Sequence, residues 1–249
     1  MEENKLNFPT EIVELPSKGL IYPEDNPLSS GKVEMKYMTA KDEDILTNQN
    51  YIQKGTVLDK LLQSLIVSKI NYKDLIIGDK NALLVAARIL GYGKDYTITH
   101  QGEEVTVDLS QLDNKEIDES LFERGKNEFE FTLPSSDTNI TFKILTHEDE
   151  SKIDQEIRGL KKLNKSSSPE FSTRLKHMLL SINGDYEKKT IRDFVDSYFL
   201  ARDTRAFRQF VKQFQPDVDL TTTIETLEGG MEDIEIPINL NFFWPDVTV

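Results

Sequence analysis

Lys36-Tyr37-Met38-Thr39-Ala40-Lys41-Asp42-Glu43-Asp44-Ile45 is echoed past the midpoint by Lys143-Ile144-Leu145-Thr146-His147-Glu148-Asp149-Glu150. Each copy follows a strand-like run, and each run follows the same tripeptide, Leu15-Pro16-Ser17 or Leu133-Pro134-Ser135. Downstream, Leu58, Leu61, Leu62 and Ser64 match Leu175, Met178, Leu179 and Ser181, and Asp79-Lys80-Asn81-Ala82 matches Asp203-Thr204-Arg205-Ala206. Chance similarity between amphipathic helices would scatter such matches, whereas these keep their order. The expectation is an internal duplication: two related lobes, spanning residues 1–120 and 121–249, at a spacing too long for a solenoid.

Local signals fill in the lobes. Residues 1–30 carry Pro9, Pro16, Pro23 and Pro27. Each proline fixes φ and lacks a donor, so this segment reads as an extended arm with short edge strands at most. Gly31 to Met38 alternates apolar and polar residues as a half-buried strand does. Thr39 with Asp42, and Thr56 with Asp59, carry helix-start signatures, and Leu58, Leu61, Leu62, Leu65 and Ile66 form an apolar stripe. Asp79 is expected to cap a helix over 81–90, which Gly91 and Gly93 stop. Tyr96 to Thr99 and Glu104 to Leu109 read as a hairpin around His100-Gln101-Gly102-Glu103, and acidic residues 113–123 as a surface connector. The second half repeats the plan. It has a hairpin over 128–145, a helix from Thr146 to about Leu163, a helix started by Ser168-Pro169, helices over 192–201 and 203–214, and a hairpin over 220–240. Lys161 to Ser168 reads as a flexible loop. The fold class is α+β, predominantly helical, each lobe being a strand or hairpin, about three helices and a closing hairpin.

Composition narrows the function. The chain has 249 residues, no cysteine, and a net charge of -14. Cysteine-free, it has no disulfide, thiolate nucleophile or cysteine zinc site, which fits a reducing cytoplasm. The acidic balance argues against nucleic acid or an anionic membrane as partner. No apolar run reaches the roughly 20 residues of a membrane span, and the first residues lack a signal-peptide pattern.

No catalytic constellation emerges. His100, His147 and His177 are dispersed, with none at the i, i+4 spacing of a zincin helix. Acidic pairs such as Glu103-Glu104 and Glu148-Asp149 read as solvated faces or first-turn acids favoured by the helix dipole. Asp42, Glu43 and Asp44 lack calcium-loop spacing, and Gly91-Tyr92-Gly93 follows a helix rather than opening one towards a phosphate. Lys161, Lys162 and Lys165 are too small a basic patch for a nucleic-acid reader. No cofactor is expected, and a cell-wall hydrolase lacks its triad, metal set or acid pair. Phe207, Phe210, Val211 and Phe214 form a helical stripe best explained by core packing. The apolar ends, Leu15, Leu20, Ile21 and Tyr22 in the arm and Phe242, Phe243 and Trp244 at the other end, either pack back onto the fold or meet a partner, and they are the candidate partner-binding residues. Clustered aromatics anchor many interfaces.

These residues also resemble a known family. Leu15-Pro16-Ser17-Lys18-Gly19-Leu20-Ile21-Tyr22-Pro23, then Gly31 to Asp44, resembles the baseplate family of T-even-type tailed phages. Ala86-Ala87-Arg88-Ile89-Leu90-Gly91-Tyr92-Gly93 and the ending Asn241-Phe242-Phe243-Trp244-Pro245-Asp246 are similar to it too. The resemblance implies a non-enzymatic, chaperone-like assembly factor for the tail baseplate hub, made late in infection and acting in the host cytoplasm. The implied partners are baseplate hub proteins and the tape-measure protein. A related branch implies the alternative, a structural subunit retained in the hub or central spike of the virion. In similar sequences the hairpin after Gly-Tyr-Gly looks like a zinc ribbon; here Thr97 to Leu109 has no cysteine, so no zinc is expected.

Overall fold

The computed structural model describes residues 9–163, 169–225 and 230–243. It is a mixed α and β protein built on small antiparallel sheets. The first half begins with β1 (Thr10–Glu14) paired to β2 (Lys32–Lys36), Val13 opposite Val33 and Glu11 opposite Met35. Helices α1 (Ala40–Leu46), α2 (Gln49–Lys54), α3 (Val57–Leu65) and α4 (Ile77–Tyr92) follow, then the hairpin β3 (Asp95–His100) and β4 (Glu103–Asp108). The second half opens with β5 (Phe129–Leu133) and β6 (Thr138–Phe142), Phe131 opposite Ile140 and Phe129 opposite Phe142. Then come α5 (His147–Leu163), α6 (Glu170–Met178), β7 (Leu179–Ile182), α7 (Lys188–Ser197), α8 (Ala201–Phe214), and the hairpin β8 (Thr221–Glu225) and β9 (Met231–Glu235).

The two echoed stretches take the same local form. At Thr39 the backbone N–H and hydroxyl both donate to Asp42 Oδ2, at 2.9 and 2.7 Å, closing a reciprocal cap on α1. Lys36 Nζ lies 2.8 Å from the same oxygen, and Ser64 Oγ donates to Oδ1 at 2.5 Å. Burial pushes the Asp42 carboxyl up, but these donors outweigh it and hold it down at about 2. At the second copy, Thr146 N–H and Oγ donate to Asp149 Oδ2, and Lys143 Nζ lies 2.6 Å from Oδ1.

Several elements differ from expectation. α4 starts at Ile77, and Asp79 caps nothing: it sits in the first turn, fully buried. A carboxylate that faces inward serves a tertiary partner instead of its own helix end. Thr56 makes no side-chain cap, because Asp59 turns towards Tyr72 and Lys80. The helix after Thr39 ends at Leu46, and Asn48 caps a separate α2 with bonds to the N–H groups of Asn50 and Tyr51. Leu179 and Ser181 lie on β7, not on a helix, because their backbone groups complete a sheet with β6. The pairing of Leu62 with Leu179 and Ser64 with Ser181 therefore fails. Each half holds four helices among the described residues; the second half's four were each expected, and α2 is the addition in the first half. Ala201 opens α8 and does not close α7. The connector over 113–123 is tied down, with Asn114 bridging Val218 and the Lys115 N–H donating to Asp217 O at 2.8 Å.

One continuous apolar cluster runs through both halves. Phe122 stacks on Phe214 with ring centroids 4.8 Å apart, and Phe129 meets Phe214 edge-on at 4.5 Å. The Phe207 and Phe214 side chains are buried and Phe210 and Val211 half-buried, as the stripe on α8 required. Gly78 packs on the chain after α8: a Cβ there would stand 1.9 Å from Pro216 O. The described end of the chain packs on the first half. Arg88, almost fully buried, donates from Nε to Phe242 O at 3.0 Å, and Phe242 meets Tyr96 edge-on at 5.0 Å.

Candidate interaction site

The residues expected to meet a partner lie inside the fold. Leu15, Leu20, Ile21, Tyr22, Phe242 and Phe243 are all buried, none more than 9% exposed. That corrects their assignment as surface anchors. Side chains this covered supply packing, and an anchor must be free to reach another molecule. Trp244 lies outside the described residues.

Burying the arm depends on the Leu-Pro-Ser-Lys-Gly turn. Lys18 and Gly19 both have positive φ, 50° and 76°. A side chain at Gly19 would also sit 2.4 Å from Ser29 O, so the turn needs glycine twice over. The turn aims Ser17 at α4. Ser17 N–H donates to Asp79 Oδ1 at 2.9 Å and Ser17 Oγ to Oδ2 at 2.7 Å. Tyr22 Oη adds a 2.6 Å bond to Oδ2 and accepts the Ile76 N–H at 3.2 Å. Burial lifts the Asp79 carboxyl to about 6 despite these donors, and lifts the Tyr22 phenol well above its usual range. In the second half Ser135 N–H donates to Asp203 Oδ1 at 2.7 Å. Burial pushes Asp203 up, yet the Ser135 and Ser136 dipoles hold it below its ordinary value, although Oδ2 completes no hydrogen bond. These are fastenings, not chemistry, since each carboxylate is sealed from solvent.

A polar cleft of about 1020 Å³ lies where α3 and the start of α4 face α5. Its floor is an ionic cluster contributed by both halves. Asp59 accepts the Tyr72 hydroxyl at 2.9 Å and pairs with Lys80. His147 Nδ1 stands 3.9 Å from Asp59, and its ring meets Tyr72 edge-on at 4.8 Å. Burial lowers the His147 pKa, so its imidazole is neutral at pH 7. Burial also raises the Tyr72 phenol, with Asp59 adding to it. The 3.9 Å gap is too long for a hydrogen bond, and Ser151 Oγ donates to the His147 carbonyl instead of to a ring nitrogen. The cluster thus lacks the nucleophile–base contact of covalent catalysis. No three metal-binding side chains converge among the described residues.

The cleft suits binding. Lys54, Arg158 and Lys162 stand exposed on its rim and form no ion pair among the described residues. That is a local cationic strip on a chain of net charge -14. Sequence reasoning missed it because Lys54 ends α2 while Arg158 and Lys162, one turn apart, lie on α5 in the other half of the chain. Thr56 and Asp59 had drawn notice only as a capping pattern. His100 ends β3 and bonds Glu232, and His177 bonds Glu156, so neither joins the cleft.

No protein-family model, curated protein or solved structure matches this chain.

Proposed function

We propose that the chain is a non-enzymatic assembly factor for a tailed-phage baseplate hub, made of two related lobes that arose by internal duplication. The observation that carries this reading is where the family-like residues sit. Leu15 to Tyr22 and Lys36 to Asp44 build the buried turn on Asp79 and the Thr39–Asp42–Lys36 cap. The resemblance therefore includes residues the fold needs, Ser17, Tyr22, Thr39 and Asp42 among them.

The duplication is supported by matching strand registers and by the recurring Ser–Asp and Thr–Asp–Lys contacts. It also calls for a different alignment of the helices. Met35 bridges Ile66 as Phe142 pairs with Leu179, and Ser68 reaches Glu34 as Ser181 reaches Thr141. Leu62 then corresponds to Leu175 and Leu65 to Met178, one helical turn away from the match in the sequence pattern. All four of these side chains are buried.

In the proposed mechanism the cleft over Asp59 and His147 holds a hub or tape-measure segment, and the acidic exterior keeps the complex in solution. Action is in the host cytoplasm. The test is quantitative mass spectrometry of finished particles beside partly assembled hubs. Expected is the chain in the intermediates and its absence from particles. A fixed integral ratio in particles would replace the assembly factor by a retained hub or spike subunit. Absence from both would remove the baseplate reading.

A further inference from the structure

We infer that the open edge of β5 is a strand-docking site for an extended basic segment of another protein. The inference does not depend on the phage reading. The sheet order is β5-β6-β7, so β5 is an edge, and Phe129 to Thr132 form no backbone hydrogen bond except to β6 among the described residues. At the opposite edge α6 and α7 pack against β7, while α8 covers one face of β5 through Phe207, Phe210 and Phe214. Edge strands are commonly blunted by lysine, proline or a bulge. Within Phe-Glu-Phe-Thr-Leu there is none of these; the sheet's one irregularity lies between β6 and β7.

Beside this edge runs a groove of about 440 Å³. Its floor is aromatic: Phe129 and Phe214 are buried, Phe210 is half-buried, and Phe210 stacks on Phe214 at 5.4 Å. Leu121, 51% exposed, forms an apolar wall. The rim is acidic. Glu128 and Glu130 are exposed and meet no cation among the described residues, Glu128 accepting only the Tyr186 hydroxyl at 3.2 Å, while the rim's Lys126 is already held by Glu123 at 2.6 Å. Strand addition gains affinity from main-chain hydrogen bonds and specificity from alternate side chains. A segment alternating lysine or arginine with an aliphatic residue satisfies both requirements: apolar residues meet the phenylalanines and basic ones meet Glu128 and Glu130. A second copy of this chain would bring another acidic rim to the same edge, which like-charge repulsion opposes.

The test uses the full-length protein and a peptide of about eight residues alternating lysine with valine. Binding is measured by calorimetry beside a glutamate-for-lysine peptide and a copy N-methylated on alternate amides. Expected is binding of the lysine peptide, with loss of at least about 10-fold on N-methylation. The double variant Glu128→Lys, Glu130→Lys should reverse the preference between the two charged peptides. The idea is overturned by a lysine peptide weaker than about 1 mM, or by equal binding of the N-methylated copy, which needs no variant. Sedimentation showing this chain paired with itself through β5, displaced by the peptide, would also overturn it.

Discussion

At the scale of single residues, the fold turns on carboxylates that left the surface. Among the described residues Asp79 has no cation within hydrogen-bond reach and relies on Ser17 and Tyr22. Its folded pKa of about 6 exceeds its ordinary 3.8, so the folded state holds the proton more tightly. The resulting stabilisation is complete below 3.8 and is lost as pH rises through about 6. Asp79→Asn removes that titration. Denaturant unfolding between pH 4 and 7 should show the stability difference moving steadily in favour of the Asn variant as pH rises; a constant difference would mean that Asp79 does not titrate in this window. Asp42 has the opposite sign, its pKa being lowered to about 2, so its contribution is present above 3.8 and fades as pH falls. The Ser17 turn was visible as a motif, but its partner across α4 was not, because Asp79 looks in sequence like any helix-start acid.

At the scale of elements, contact between distant segments overrides local propensity. Gly78 lies in the first turn of α4, where alanine would favour the helix by about 1 kcal/mol. The Pro216 carbonyl occupies the space a methyl would need. Backbone cannot yield as a flexible side chain can, so Gly78→Ala is expected to destabilise by about 2 kcal/mol or more, within the overpacking range. A raised melting temperature for this variant would show that the close approach of α4 to Pro216 is not kept in solution. β7 makes the same point. Leu179, Ser181 and Ile182 follow α6 without a break, and Ile140 and Thr141 on β6 turn them into a strand. Helical spacing of the preceding residues concealed that switch.

At the scale of the whole molecule, the last described residues close on α4 and β3 of the first half. Phe242 and Phe243 are fully buried against α4 and β3, and Phe242 O takes the Arg88 Nε–H. Removing residues after Leu240 would empty this site and strip a buried guanidinium of an acceptor. We expect Phe242→Ala to cost about 3–5 kcal/mol, and the truncated chain to lose its cooperative unfolding transition. A truncated chain as stable as the full one would return these aromatics to the surface. The same packing joins the halves: Phe122 on Phe214 and Ile76 beside Thr146 cross the midpoint.

Residue order alone specified the helices and hairpins of strong period, the Thr39–Asp42 cap and the core stripe on α8. Each depends on neighbours within a few positions, where backbone geometry is decided locally. Tertiary structure decided which apolar and charged groups are covered. Leu20, Tyr22, Phe242 and Phe243 looked like anchors until packing enclosed them, and Lys54, Arg158 and Lys162 became one strip only when α2 and α5 came together. Burial is a sum over neighbours from the whole chain, and no short window of sequence contains it.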